Sequence, residues 1–238
     1  MTCVQGQRPR EQSIHTEGIT FLGVISNKNF VGRPVIVTKR TANKLSNVSY
    51  YHYDDNNKKM KYHRGSKKKT TSVTVYRRAK KAWFTTELFT HAMCDVVYPE
   101  LVQHLKDVVK KDGRKRKLVI LMDQASCHPL TVLRERFPDV ITLGLPTRST
   151  SVLQPADCGF LKFFKEIYNE TLLDHLLAGV DGVPTEQSLP KLRSCLAEIK
   201  FPDVLGFINK SCKRIRRLKR TNQYFNAVLE YGEYAVFY

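Results

Sequence analysis

Two aspartates, Asp123 and Asp157, are the residues of this chain best placed to do chemistry. Asp123 ends the apolar run "KLVILM" (117–122), and His128-Pro129 follows five residues on. Asp157 lies 34 positions further, in "SVLQPADCGFLKFFK" (151–165), with Phe160, Phe163 and Phe164 behind it. An acid at the tip of a buried strand and another at a helix start can point into one cleft, provided the helix packs beside the strand's end. Clustered carboxylates are what a hard divalent cation requires. Mg²⁺ takes oxygen ligands and keeps water and substrate phosphate among them. Two such ions about 4 Å apart serve phosphodiester cleavage, one activating the attacking oxygen and the other stabilising the leaving oxygen. A plainer reading stands beside this one: Asp123 as a turn former or helix cap, Asp157 as a partner of the helix dipole. His128 is likewise either a proton shuttle near the acids or a histidine held by backbone at a helix entry.

The elements that must position these residues follow from pattern. "GITFLGVIS" (18–26) and "RPVIVTKR" (33–40), joined by the turn residues "NKNFVG", read as a hairpin. Leu88, Phe89, Ala92, Met93, Val96 and Val97 share one helical face behind an N-cap at Thr85 or Thr86, and Pro99 interrupts or restarts that helix. "LVILM" (118–122), without alternation, predicts a strand buried on both faces. A short helix from Pro129, a strand at 140–145 and a helix from Pro155 complete an α/β order, with a central sheet covered on both sides. The remainder is helical in pattern.

Composition narrows the partners. The 238 residues carry 40 Lys+Arg against 22 Asp+Glu, a net charge of +18, with 42% hydrophobic residues. A core is affordable at that length, and the charge attracts polyanions, so nucleic acid leads as partner. No stretch approaches membrane-spanning length and the first residues lack a signal peptide's apolar core, so no membrane role is expected. The six cysteines are dispersed without a Cys-x-x-Cys pair, as expected of reduced thiols rather than a zinc site. Residues 58–81 contain eleven Lys or Arg and no acid. The segment 41–81 is therefore read as a basic, mobile insertion with one strand at 72–76. Lys58, Lys59, Lys67, Lys68, Lys69, Arg77 and Arg78 in that segment, with Arg114, Lys115, Arg116 and Arg148, are the candidate nucleic-acid contacts. "KKDGRKRK" (110–117) and "KRIRRLKR" (213–220) also fit nuclear-import patterns, which predicts a nuclear protein. His91, Cys94, Asp95 and His104 form a loose metal-like set whose register Pro99 breaks.

"VILMDQASCHP" and "LPTRSTSVLQPADCGFLKFFK" together resemble the DDE superfamily of transposase-derived endonucleases, and most closely its pogo, Tigger and jerky branch. In that branch a buried strand ends in Asp with His-Pro a few residues on, and an "LP…T…LQP.D.G" segment carries a further acid. Leu145-Pro146, Thr150, Leu153-Gln154-Pro155, Asp157 and Gly159 match it. "GITFLGVISNKNFVGRPVIVTKR" looks like the family's second and third strands and "AWFTTELF" (82–89) like its helix entry, so the likeness runs from about residue 16 to 176.

The resemblance implies an RNase H-like α/β domain over 1–176 and a helical C-terminal extension over 177–238. It also implies DNA as partner, with Asp123 and Asp157 as second and third ligands of Mg²⁺ or Mn²⁺ and His128 beside them. A homodimer is left open. The family's first acid, borne on a strand upstream of the hairpin in Asp-Glu-Thr-Gly, has no match; Glu11 and Glu17 are the only acids before the hairpin. The expectation is a DNA-binding, catalytically impaired domain. The alternatives are an active metal-dependent endonuclease whose first acid lies elsewhere or is replaced, and a nuclear interaction scaffold without enzymatic function.

Overall fold

The computed structural model describes residues 19–38, 49–54, 59–63, 70–77 and 83–235. Glu11 and Glu17 lie outside them, as do Lys58, Lys67, Lys68, Lys69 and Arg78. The hairpin forms as expected. β1 (Ile19–Leu22) pairs antiparallel with β2 (Val35–Thr38), and the isolated bridge Ile25↔Val31 extends the pairing toward the turn. Val35, Ile36, Val37 and Thr38 are all fully buried.

The basic segment differs from expectation. Instead of one strand it contributes three: β3 (Ser49–Asp54), β4 (Lys59–His63) and β5 (Thr70–Arg77). β5 runs parallel to both β2 and β3, giving a five-stranded sheet in the order β1-β2-β5-β3-β4. Its β3–β4 ladder aligns Tyr51 with Tyr62 and Tyr53 with Met60. The high strand preference of tyrosine and β-branched residues outweighs the lysine content that suggested a segment too polar to pack.

α1 (Thr86–Ala92) starts where expected, the Thr85 hydroxyl accepting the Leu88 N–H at 3.2 Å. Between α1 and α2 (Tyr98–Asp112) the chain makes one wide turn over Met93–Val97, in which the Tyr98 N–H reaches back five residues to the Met93 carbonyl. Pro99 accounts for that widening. It donates no N–H, and its ring crowds the carbonyl four residues earlier. Gly113, at φ 69°, ends α2 in the left-handed conformation that glycine adopts without strain.

β6 (Leu118–Met122) and β7 (Val140–Gly144) pair in parallel as a separate two-stranded sheet, with α3 (Leu130–Arg136) between them in sequence. Their inner face packs under α1 and α2 through Leu118, Ile120, Met122, Val140, Phe89, Met93, Val97 and Leu101. The outer face corrects the expectation of a strand buried on both sides. Val119 is 46% exposed, Ile141 42% and Leu143 45%, because no described element covers them.

α4 (Thr150–Leu153) and a kinked turn at Ala156–Phe160 lead into α5 (Leu161–Ala178). α6 (Thr185–Glu198), α7 (Phe201–Leu218) and α8 (Thr221–Ala235) follow. Phe160, Phe164 and Ile167 share a core with Ile36 of β2, with Leu205, Ile208, Cys212 and Ile215 of α7, and with Tyr224 of α8. Among the described residues no helix is long and apolar enough to cross a membrane.

Candidate metal centre

Asp123 immediately follows β6, where the apolar run can no longer continue and the chain turns toward α3. His128 folds back onto it. The imidazole Nδ1 lies 2.6 Å from Asp123 Oδ1 and 3.1 Å from the Asp123 carbonyl oxygen. Both partners are acceptors, so Nδ1 carries the proton and Nε2 is the nitrogen left to exchange one. His128 is held by Asp123's backbone and side chain together. The loop between them is closed by His128 N–H donating to Ala125 O at 2.9 Å.

α1 buttresses this loop from the side. Phe89 packs its ring 4.3 Å from the His128 ring, and the Thr86 hydroxyl reaches the Ser126 carbonyl at 3.5 Å. With Oδ1 engaged by His128, Asp123 is oriented so that Oδ2 remains for an incoming partner.

Asp157 comes from the other side, and not from the first turn of α5 as its sequence suggested. Pro155 and Ala156 begin a short turn, with the Asp157 and Cys158 N–H groups both donating to Gln154 O at 2.9 and 3.0 Å. Cys158 (ψ 28°) and Gly159 (φ 117°) then break the helical geometry before α5 starts at Leu161. Only glycine tolerates that φ cheaply, and a Cβ at Gly159 would stand 3.2 Å from Tyr224 Cε1. Tyr224 of α8 also meets Phe160 and Phe163 edge-on or tilted. The kink that presents Asp157 is thus packed from behind by the C-terminal helix.

The charge of Asp123 reaches Asp157. Asp157 is exposed at the surface, but the protein around it desolvates its carboxyl enough to raise it above the ordinary carboxylate range, and the negative charge of Asp123 raises it further. That like-charge pressure is what a shared cation relieves. Burial also pushes the Cys127 and Cys158 thiols up, with Asp123 and Asp157 respectively adding to it, so neither is held as a reactive thiolate. Among the described residues no three His, Cys, Asp or Glu side chains cluster as a metal-binding group. The carboxylates of Asp123 and Asp157, near enough for the charge of one to act on the other, are the hard oxygen donors that suit an Mg²⁺ or Mn²⁺ ion taking its remaining ligands from water and phosphate.

The other sequence candidates scatter. His91 approaches Glu87 (3.9 Å) and Asp95 (4.0 Å), while His104 bonds Ser26 Oγ at 3.0 Å and stacks on Phe30, so they form no common site. Of the candidate nucleic-acid contacts, Lys59 opens β4 and Arg77 ends β5. Arg114, Lys115 and Arg116 follow α2 and are exposed, Arg116 tied to Asp112 as an ion pair that holds the Asp112 carboxyl below its usual range. Arg148 is exposed in the loop before α4 with φ 62°, an uncommon conformation for a residue with a Cβ.

Comparison with known proteins gives the family. Residues 38–202 match the family described as DDE superfamily endonuclease. The chain belongs to that family. Asp123, His128 and Asp157 all fall within the matched residues, and the mixed helices and strands are those of its α/β, RNase H-like fold. A relative, the human Tigger transposable element-derived protein 7, is 22% identical over 175 residues, covering 67% of this chain and 32% of that protein. The chain thus spans about a third of the length of the curated relative it matches, and the pogo and Tigger resemblance read from the two aspartate motifs holds. No solved structure matches.

Proposed function

We propose that this DDE superfamily chain is a DNA-binding, transposase-derived endonuclease domain of the nucleus whose catalysis is impaired. The observation that carries the reading is that Asp123, His128 and Asp157 all fall within the family match, with His128 holding the Asp123 carboxylate and the Asp123 charge acting on Asp157. Asp123 and Asp157 would hold Mg²⁺ or Mn²⁺, which when bound supplies charge stabilisation to a phosphodiester undergoing attack. His128 fixes the Asp123 carboxylate through Nδ1 and keeps Nε2 on the side from which a proton can be taken or returned. Impairment is proposed from the two acids found at the centre among the described residues. Two carboxylates leave most of the coordination sphere to water, which binds the ion weakly and positions it loosely. The domain proper spans 1–176 and the helical extension 177–238.

Lysines and arginines give the DNA contact. Lys59, Arg77, Arg114, Lys115 and Arg148 join Lys58, Lys67, Lys68, Lys69, Arg78 and Arg116 as contacts to backbone phosphates, with little sequence preference. A second reading keeps the enzyme active, with Glu17 or an acid from further sequence completing the set. The intact His128–Asp123 contact favours it, since an abandoned site has no need of an oriented ligand. Incubation of supercoiled plasmid with the chain and Mn²⁺ separates the two. No nicking beside salt-sensitive duplex binding supports impairment, and nicking abolished by Asp123→Ala supports the active form. Absence of duplex binding at low salt refutes both and favours a scaffold.

A further inference from the structure

We propose that the cleft between the β1–β2 hairpin, α2 and α7 is a phosphodiester-binding site anchored by the Arg216 guanidinium. The cleft has a volume of about 430 Å³ and is lined by Asn29, Phe30, Val31, Arg33, Glu100 and Arg216, none of which belongs to the aspartate centre. Arg216 is built in rather than trailing in solvent. Its Nε donates to the Val31 carbonyl at 2.9 Å and its Nη2 to the Gly32 carbonyl at 3.1 Å. Carbonyl oxygens hold a guanidinium without cancelling its charge, and among the described residues its Nη1 group makes no hydrogen bond.

The second arginine is treated differently. Glu100 takes the Arg33 backbone N–H on Oε2 at 2.7 Å and the Arg33 Nε on Oε1 at 3.1 Å. That bidentate arrangement neutralises Arg33 and fixes the carboxylate. Two arginines and one glutamate leave the lining with one positive charge.

The charge count selects the ligand. A phosphodiester carries one negative charge and matches the lining. A phosphate monoester or inorganic phosphate, near two negative charges at neutral pH, meets the fixed Glu100 carboxylate as well as Arg216. Phe30, stacked on His104 with centroids 4.5 Å apart, offers an apolar wall suited to a sugar face. The volume is that of a small-molecule pocket rather than a bare-ion niche. The hairpin turn that shapes one rim is itself tied down, since Thr221 Oγ1 donates to Ser26 O at 2.8 Å, so the site is largely preformed. This inference deepens the DNA-binding reading by naming a backbone contact, and it rests on that reading for the source of its ligand.

The test follows the arginine Nε–H resonances of the full chain by NMR, assigned through bonds on the unsubstituted protein. Dithymidine monophosphate, inorganic phosphate and thymidine are the probes. The Arg216 resonance should shift saturably with the dinucleotide, at least threefold less with equimolar phosphate, and not with thymidine. No shift with the dinucleotide, or equal shifts with phosphate or thymidine, overturns the assignment. In a duplex titration, Arg216→Gln should lower the log-affinity against log-salt slope by about one; an unchanged slope in the folded variant overturns the site's use on DNA. Loss of duplex binding by the unsubstituted chain, with the dinucleotide shift intact, counts against the DNA-binding reading and for the pocket.

Discussion

His128 and Asp123 are joined twice through a single nitrogen: Nδ1 lies 2.6 Å from the carboxylate and 3.1 Å from the carbonyl of the same residue. The strand tip, the loop and the start of α3 are locked together by that contact, and the carboxylate is held in one orientation.

Removing the lock should loosen the centre without unfolding it. Partners that orient a ligand typically contribute about 10- to 100-fold in metal affinity. His128→Ala should therefore weaken Mn²⁺ binding about tenfold while leaving the circular dichroism spectrum unchanged, measured by electron paramagnetic resonance titration. An affinity equal to that of the unsubstituted chain would show that Asp123 needs no such support.

The raised Asp157 carboxyl has a pH signature. A carboxyl whose folded pKa lies above its unfolded value destabilises the fold when ionised. Above the folded pKa the burden is fully present, and below the unfolded value, near pH ~3.9, it is gone. Asp157→Asn should raise Tm at pH 7 by on the order of 1 °C, a small effect because the exposed group is screened by solvent. The gain should vanish toward pH 3.5 and also on adding millimolar Mg²⁺, both readable by differential scanning fluorimetry.

The kink at Gly159 should be intolerant. Alanine there must adopt φ 117° and crowd the Tyr224 ring, so Gly159→Ala should cost about 1–3 kcal/mol. Tyr224→Ala, which empties the wall behind the kink, should cost about 3–5 kcal/mol by analogy with other buried aromatic truncations. Urea unfolding gives both values. A neutral Gly159→Ala would mean the turn repacks freely.

The C-terminal helices should unfold with the sheet. Leu205 of α7 is fully buried in a core shared with Ile36 of β2, so Leu205→Ala should cost about 2–5 kcal/mol, out of a typical total of about 5–15. A single cooperative transition monitored by both far- and near-ultraviolet circular dichroism is expected. Two separated transitions would place α7 outside the folding unit.

Local signals were legible where one residue type decides the geometry. The unbroken "LVILM" marked β6 to the residue, and Asp123 marked its end. Thr85 or Thr86 marked the start of α1, of which Thr85 is the cap, and the spacing of Phe160, Phe163 and Phe164 marked α5. What escaped was non-local. β4 is a strand despite its lysines because pairing with β3, itself paired with β5, supplies what the segment alone lacks. The outer face of β6 and β7 is open although its residues are apolar, since periodicity reports what a strand could bury and not what arrives to cover it. Asp157 sits before a break rather than on the helix, a consequence of Gly159 meeting Tyr224, 65 positions on. Arg216 reaches Val31 across 185 positions, which no motif encodes.

Everything assigned to the aspartate centre depends on Asp123 and Asp157 sharing a divalent ion. Mn²⁺ titration of the unsubstituted chain, Asp123→Asn and Asp157→Asn, followed by electron paramagnetic resonance, measures this directly. The proposed function predicts a weak site on the unsubstituted chain that either substitution removes. An identical Mn²⁺ isotherm for all three proteins would contradict it.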